Sequence, residues 1–182
     1  MNRTAPKGRD FYQTPEIAID AFLNAMNGIE KYSSILDPCC GNKPIGKMLR
    51  KNGYKNITEF DLETGVNFLE YSAKDLFDCL LMNPPYSLKE KFITKALTVS
   101  NDVFVFLPMQ VVNYNRFNRN FIQNRNYRGR WLITPKMHLT EDYHELPSIP
   151  SGGYWSYAWF WFSRFERSIS QSFEDYIDIP TL

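Results

Sequence analysis

Long hydrophobic runs are missing from this sequence. No stretch of its 182 residues reaches the length of about 20 apolar residues that a membrane-spanning helix needs. The first ten residues include three basic side chains and no apolar stretch, which is not the pattern of a secretory signal peptide. These absences argue against membrane and secreted proteins, and we expect a cytoplasmic protein.

Cysteine and histidine are scarce as well. Of the three cysteines, Cys39 and Cys40 are adjacent and Cys79 stands alone, so we expect reduced thiols rather than a disulfide framework. The two histidines, His138 and His144, are six positions apart and lie near acidic residues, but they match no established metal-ligand spacing. The sequence therefore predicts no metal site.

A surplus of charge of one sign is also lacking. The formal net charge of +1 excludes a global attraction to nucleic acid, so a local basic patch would have to bind it. The composition does supply 43% hydrophobic and 16% aromatic residues, as in a folded globular protein. The length matches one domain over residues 1–182, with a core at about 13–165 between a polar N-terminal arm and a polar, peripheral C-terminal tail.

Apolar segments typical of strands alternate with helical patterns through most of the chain. Apolar residues at helical spacing predict a helix that Thr14 caps and in which Pro15 takes the first helical position. The run 103–107 is continuously apolar, as in a strand that is buried on both faces of a parallel sheet. The alternation predicts an α/β fold with a doubly wound, mostly parallel sheet of about seven strands.

The residues Asn83, Pro84, Pro85 and Tyr86 follow the apolar end of a predicted strand. The prolines end the ladder hydrogen bonding, so an amide and an aromatic ring are presented at the sheet's carboxyl edge, where open α/β proteins bind ligands. The Asn83 side-chain oxygen and the Pro84 carbonyl can each accept a hydrogen bond from a planar amine, while the Tyr86 ring stacks on the attached π system. The pattern indicates chemistry on an amine nitrogen.

A turn of small residues joins another predicted strand, 32–36, to a helix. Strand, turn and helix N-terminus together form a unit that binds nucleotide cofactors, and Asp37 is placed there to hold an ammonium group. The turn contains Pro38, Cys39, Cys40 and Gly41, of which the glycine allows a ligand to approach closely. Asp61 ends the next predicted strand and is placed to accept hydrogen bonds from ribose hydroxyls, with Glu63 as the alternative; a cap or turn role for Asp61 is the other interpretation.

The Asn-Pro-Pro-Tyr segment resembles the catalytic motif of S-adenosylmethionine-dependent amino methyltransferases, above all the N6-adenine DNA methyltransferases. The resemblance spans residues 14–162 in the order cofactor helix, cofactor turn, acidic residue, catalytic turn and closing strand. It implies a Rossmann-like methyltransferase domain whose last strand is typically antiparallel. It also implies S-adenosylmethionine as the cofactor, S-adenosylhomocysteine as the product, and no metal.

The resemblance implies further cofactor-binding residues. Thr14 and Pro15 look like the family's N-terminal cofactor motif. The segment from Asp37 is similar to Asp-Pro-x-Cys-Gly-x-Gly, although 42–44 interrupts the expected second glycine. Asn67 and Phe68 resemble an Asp-Phe-Leu segment that lies against the cofactor's adenine, with an amide in place of the acid; a plain loop packed by Phe68 is the alternative.

Two further segments suggest substrate contacts. The stretch 116–130 contains five arginines and no acid, and we expect Arg116 and Arg119 to contact nucleic-acid phosphates, unless the stretch is a solvated helix face. The long segment 135–153 is a candidate lid or substrate-reading loop. The resemblance implies that an aromatic residue before the last strand, Tyr154 or Trp155, closes over a flipped base.

These observations predict methyl transfer to an exocyclic amine, most directly N6 of adenine in DNA after base flipping. The same chemistry on RNA or on a protein glutamine is an alternative, and so is a catalytically silent module that binds nucleic acid or a partner. The chain lacks a target-recognition domain such as many family members carry, so a recognition partner is a further possibility. A short stand-alone enzyme of this kind would be typical of a bacterial virus or mobile element.

Overall fold

The computed structural model describes residues 12–27, 32–134, 156–166 and 172–179. Within these ranges three helices of eight or more residues are present: α1 (Glu16–Ala25), α2 (Pro44–Lys51) and α3 (Lys89–Val99). The strands are β1 (Ile35–Asp37), β2 (Ile57–Glu59), β3 (Phe77–Met82), β4 (Ser100–Pro108), β5 (Tyr127–Thr134), β6 (Tyr157–Ser163) and β7 (Phe173–Asp178). A short helical turn, Asn115–Phe117, continues as a π-helical turn, Asn118–Ile122.

These seven strands form one sheet in the order β2-β1-β3-β4-β6-β5-β7. Among them only β6 runs against the others: it pairs antiparallel with β4 and β5, whereas the remaining neighbours pair parallel. The predicted α/β fold with a mostly parallel sheet is confirmed.

Helices cover both faces of the sheet because alternate residues of the central strands point to opposite sides. Cys79 and Leu81 of β3 belong to the apolar cluster beneath α1 and α2. Leu80 and Met82 belong to the cluster beneath α3 and the 115–122 turns. All four side chains are fully buried, which explains why these central strands are continuously apolar.

The start of α1 differs from the prediction. The helix begins at Glu16 with Pro15 in the capping position, and no side chain makes a capping hydrogen bond. Thr14 is buried at 2% exposure and lines the cavity described below. Its packing into the site therefore takes precedence over its local capping preference.

The C-terminal part of the described chain also differs from the prediction of a peripheral tail. β7 extends the sheet beside β5, in parallel register from Gly129 opposite Phe173 to Thr134 opposite Asp178. Ile177 and the following Ile179 are each 5% exposed and join the α1 side of the core. The sequence pattern failed here because exposed acidic residues surround these few apolar ones.

No helix within the described ranges is long and apolar enough to cross a membrane.

Candidate active site

Several strand ends meet at one edge of the sheet. Asp37 ends β1, Asn83 follows β3, and Pro108 ends β4. The antiparallel strand β6 begins at the same edge, since Tyr157 pairs with Pro108. This edge is where parallel α/β sheets place their ligand sites, and the sequence-predicted motifs converge there.

The turn after β1 is fixed by hydrogen bonds to the segment after β2. Gly41 has a φ of 48°, in the left-handed region that favours glycine, and its N–H donates to Asp61 Oδ2 at 2.8 Å. The other carboxylate oxygen of Asp61 accepts from the Glu63 N–H at 2.9 Å, which caps a short 3₁₀ helix. Asp61 thus takes the cap role and also positions the turn, while Glu63 is exposed.

Asp37 is the most perturbed carboxylate of this edge. It is 1% exposed, and Oδ1 accepts one N–H, from Cys39 at 3.3 Å. Burial raises its pKa to about 8, with smaller upward contributions from the nearby Glu59 and Asp61 carboxylates, against a downward contribution from the Cys39 N–H. Oδ2 is buried without a hydrogen-bond partner among the described residues. This oxygen can accept a hydrogen bond from a cationic ligand.

The orientation of the Asn83 amide follows from its contact with Tyr12. Asn83 Nδ2 lies 2.6 Å from the Tyr12 carbonyl oxygen, and since a carbonyl can only accept, the amino group must face it. Oδ1 consequently points the other way, where it is buried without a partner in the described chain. The Asn83 backbone carbonyl accepts from Cys39 Sγ at 3.6 Å, which joins the two predicted motifs.

These unpaired acceptor oxygens lie around one small cavity. Asp37, Asn83 and Gln13 line it, and each has a buried side-chain oxygen without a partner in the described chain. Thr14, Cys39 and Cys40 also line it. Because unpaired buried acceptors cost free energy, a site with three of them is matched to a ligand that brings N–H donors or positive charge.

Aromatic rings form the neighbouring wall. The Tyr12 and Tyr86 rings are stacked with their centroids 5.6 Å apart and their planes inclined by 16°. Tyr157 stacks on Phe106 at 5.1 Å. Burial, and then the nearby Tyr12, raise the pKa of Tyr157 to about 12, while a hydrogen bond with Tyr86 acts in the opposite direction.

Sequence reasoning missed Tyr12, Gln13 and Tyr157 as site residues. The proximity of Tyr12 and Gln13 to the Thr-Pro motif was the available signal for two of them. For Tyr157 the signal was the antiparallel strand that the resemblance implies after the parallel ones, here β6, because such a strand begins at the edge where the parallel strands end.

The remaining predicted residues fall into three groups. Thr14, Asp37, Cys39, Cys40 and Asn83 line one cavity, with Pro15, Pro38, Gly41 and Asp61 adjoining them in the chain or through the Gly41–Asp61 hydrogen bond. Asn67 and Phe68 are not among the residues that line it; Asn67 accepts from the Leu69 N–H at 3.2 Å, and Phe68 packs on Phe92 at 5.5 Å. Tyr154, Trp155, His138 and His144 lie outside the described residues, as does the whole of the long segment 135–153.

The arginine stretch is largely neutralised by acids from other elements. Arg116 pairs with Glu90, Arg125 with Glu166 and Arg130 with Glu174. Arg128 is buried and donates to the Arg125 carbonyl. Of the five arginines, only Arg119 has neither an ion pair nor a side-chain hydrogen bond within the described residues. The stretch is therefore much less basic in space than it is in sequence.

No protein-family model and no curated protein sequence matches the chain. Solved structures do share its fold. A candidate RNA methyltransferase from Pyrococcus horikoshii superposes with a TM-score of 0.58 at 15% identity over 84% of this chain and 86% of its own. A type I restriction-modification methyltransferase subunit from Streptococcus thermophilus gives 0.56 at 11% over 92% of this chain and 47% of its own.

A SAM-dependent O-methyltransferase from Thermotoga maritima gives a TM-score of 0.50 at 14% identity, over 82% of this chain and 66% of its own. The chain spans about half the length of the restriction-modification subunit that it matches. These comparisons, together with the sheet order, establish the Rossmann-like methyltransferase fold.

Proposed function

We propose that this protein is an S-adenosylmethionine-dependent methyltransferase that methylates an exocyclic amine. N6 of adenine in DNA is the leading candidate for that amine. The observation that carries the proposal is a set of three buried acceptor oxygens around one cavity, beside the Asn-Pro-Pro-Tyr turn, none of which has a hydrogen-bond partner among the described residues. Both the cofactor and the acceptor amine would bring N–H groups or positive charge to these oxygens.

The residues on the β1 and β2 ends fit the cofactor. Asp37 Oδ2 would accept a hydrogen bond from the ammonium group, and the ionised carboxylate would be stabilised by that charge. Asp61 can still accept hydrogen bonds from ribose hydroxyls. A carboxylate has about four lone-pair sites, and the two N–H groups that bind Asp61 use only two of them. Thr14, Pro15 and the turn 38–41 would form the surrounding wall, with Asn67 and Phe68 toward the adenine. When bound, S-adenosylmethionine supplies a methyl group that its sulfonium already activates.

The catalytic turn would prepare the acceptor nitrogen. Asn83 Oδ1 would accept one amine hydrogen and the Pro84 carbonyl the other, while Tyr86 stacks on the ring and Pro85 keeps the turn rigid. These hydrogen bonds favour a pyramidal nitrogen whose lone pair can attack the methyl carbon. The bond between the methyl carbon and the sulfonium sulfur would break as the carbon–nitrogen bond forms, which would leave neutral S-adenosylhomocysteine. The proton of the cationic nitrogen would then pass to solvent, so no strong base is needed.

A nucleic-acid substrate is the choice that the neighbours' descriptions support, since one is a candidate RNA methyltransferase and another a restriction-modification methyltransferase subunit. Adenine in a duplex hides its reacting nitrogen, so the base would flip onto Tyr86. Tyr154 or Trp155 would close over it, and Arg116 and Arg119 would contact flanking phosphates. RNA and protein glutamine are the alternative substrates of the same chemistry.

The test is transfer of a labelled methyl group from S-adenosylmethionine to unmethylated DNA, with RNA and a protein lysate as parallel substrates. We expect label in DNA, recovered as N6-methyladenine. Label confined to RNA or protein would show that this molecule, and not DNA, is the substrate. No label in any of the three, despite cofactor binding, would favour the catalytically silent module.

Asn83→Ala removes the oxygen that accepts the amine hydrogen, and it should lower kcat by at least about 100-fold, as loss of a group aimed at a developing charge does. Cofactor affinity, measured by calorimetry, should change little. Asn24→Ala, at an exposed position on α1, is the matched control and should retain full activity. Activity retained by the Asn83 variant would contradict the assignment.

A further inference from the structure

A groove of about 870 Å³ runs along α3, on the opposite face of the sheet from α1 and α2. One wall is α3 itself, with Lys91, Thr94 and Lys95. The other wall comes from the 115–122 turns and the segment after them. The floor is apolar and includes Phe121 and Phe162. None of the groove residues lines the small cavity at the sheet edge, so the groove is a separate surface.

The groove carries positive charge that no acid in the described part of the chain neutralises. Glu90 is the one acid among the described residues that line it, and its carboxylate already pairs with Arg116 at 2.9 Å. Lys91 and Lys95 have no acidic partner within the same ranges. They are four positions apart in the sequence, so they project from the same side of α3, about one helical turn apart. Their charge is available to an anionic ligand.

The polar side chains that line the groove with the two lysines can donate hydrogen bonds to phosphates. Thr94 lies between the lysines in the sequence of α3, and Asn120 comes from the other wall. Hydroxyls, amides and lysines supply most contacts to nucleic-acid backbones. Several such groups around one groove of about 870 Å³ can contact more than one phosphate, as the backbone of a nucleic acid requires.

The groove also begins beside the catalytic turn. Lys89, the first residue of α3, donates from Nζ to the Tyr86 carbonyl at 2.9 Å. Glu90 and Lys91 follow directly and line the groove. A strand that delivered a base to Tyr86 could therefore continue along α3 without leaving the protein surface.

We propose that the groove along α3 binds the sugar–phosphate backbone of the nucleic-acid substrate, with Lys91 and Lys95 as its phosphate contacts. The inference rests on the proposed function and deepens it. It moves the main electrostatic interaction from the arginine stretch, whose charges are mostly paired, to two lysines on the helix after the catalytic turn.

The test compares the double variant Lys91→Gln/Lys95→Gln with Lys51→Gln/Lys55→Gln. Lys51 and Lys55 are exposed, have no side-chain partner in the described chain, and lie at the end of α2 and in the loop after it. Binding of a fluorescently labelled oligonucleotide duplex, and of its single strand, is measured by anisotropy over a range of salt concentrations.

We expect the groove variant to bind duplex at least about tenfold more weakly at about 0.1 M salt. The slope of log affinity against log salt should fall by about 0.9 for each phosphate that a lysine no longer neutralises, and so by about 2 for the pair. The control should match the wild type.

The outcomes separate this inference from the proposed function. If both double variants keep the wild-type affinity and salt dependence while methyl is still transferred to DNA, the groove does not bind the sugar–phosphate backbone. The proposed function then stands. If the groove variant alone loses affinity although no methyl is transferred, the groove assignment stands without the catalytic one. A wild-type protein that binds no nucleic acid overturns the groove assignment outright.

Discussion

At the scale of single residues, one carboxylate links stability, pH and ligand binding. Asp37 is buried with one oxygen unpaired among the described residues, and its pKa is raised to about 8. Acids with strongly perturbed pKa values cluster at functional sites. A cation beside Asp37 would restore the charged form, which is the role that we assign to the cofactor's ammonium group.

The raised pKa makes a prediction about stability. An aspartate in the unfolded chain has a pKa of about 3.9, whereas burial raises the pKa of Asp37 in the folded protein to about 8. As pH rises the unfolded chain loses this proton first. The contribution of Asp37 to folding stability is thus complete below about pH 4 and is lost as pH rises to about 8.

Asp37→Asn should abolish that loss, so the variant should gain stability relative to the wild type between about pH 5 and about pH 8.5. Urea unfolding at the two pH values measures the difference. Asp75→Asn, at an exposed position, is the control. If the two variants respond to pH in the same way, the Asp37 carboxylate is not buried in the folded protein.

At the scale of elements, the central strands and helices were predictable and the last strand was not. The sequence runs that form β3 and β4 place apolar residues on both faces of the strand. Such runs predict a buried strand without any knowledge of the neighbouring elements. β7 has an apolar residue only at intervals between acids, and its place depends on pairing with β5, a strand far from it in sequence. The ion pairs of the arginine stretch likewise depend on partners far away in the sequence, since its acidic partners come from α3, β7 and the segment after β6.

β7 supplies a stability prediction with an internal control. Ile177 is 5% exposed and packs into the core, whereas its neighbour Tyr176 is 61% exposed. Ile177→Ala should lower the free energy of unfolding by about 2–5 kcal/mol, because it leaves a cavity beneath α1. Tyr176→Ala should change it by at most about 0.5 kcal/mol. Equal effects in denaturant unfolding would show that β7 does not dock on the sheet as described.

At the scale of the whole molecule, the proposed cofactor would join segments that are far apart in sequence. The cavity is lined by residues from the segment before α1, from the end of β1 through the start of α2, and from the position after β3. A ligand that binds only the folded state stabilises it by about 2.7 kcal/mol at a concentration about 100 times Kd.

S-adenosylmethionine at that concentration should therefore raise the melting temperature by about 5–10 °C, at about 2–4 °C for each kcal/mol. Thermal unfolding followed by circular dichroism measures the shift. At the same cofactor concentration Asp37→Asn should show a much smaller shift than the wild type, whereas Lys51→Gln should show the full one. A wild type whose melting temperature does not respond would argue against cofactor binding at this cavity.

The sequence by itself determined the α/β fold, the position of the Asn-Pro-Pro-Tyr turn after a buried strand and the presence of an acid after β2. These features follow from local causes: apolar periodicity, the fixed backbone of two prolines and the conformational freedom of Gly41.

Tertiary structure decided the rest. Asn83 meets the carbonyl of Tyr12 across 71 positions of the chain, and this contact sets which way its amide faces. Burial, with other carboxylates nearby, sets the pKa of Asp37, and acids of other elements pair with three of the five arginines in the stretch 116–130. Such effects depend on distances in space, which local sequence patterns do not encode.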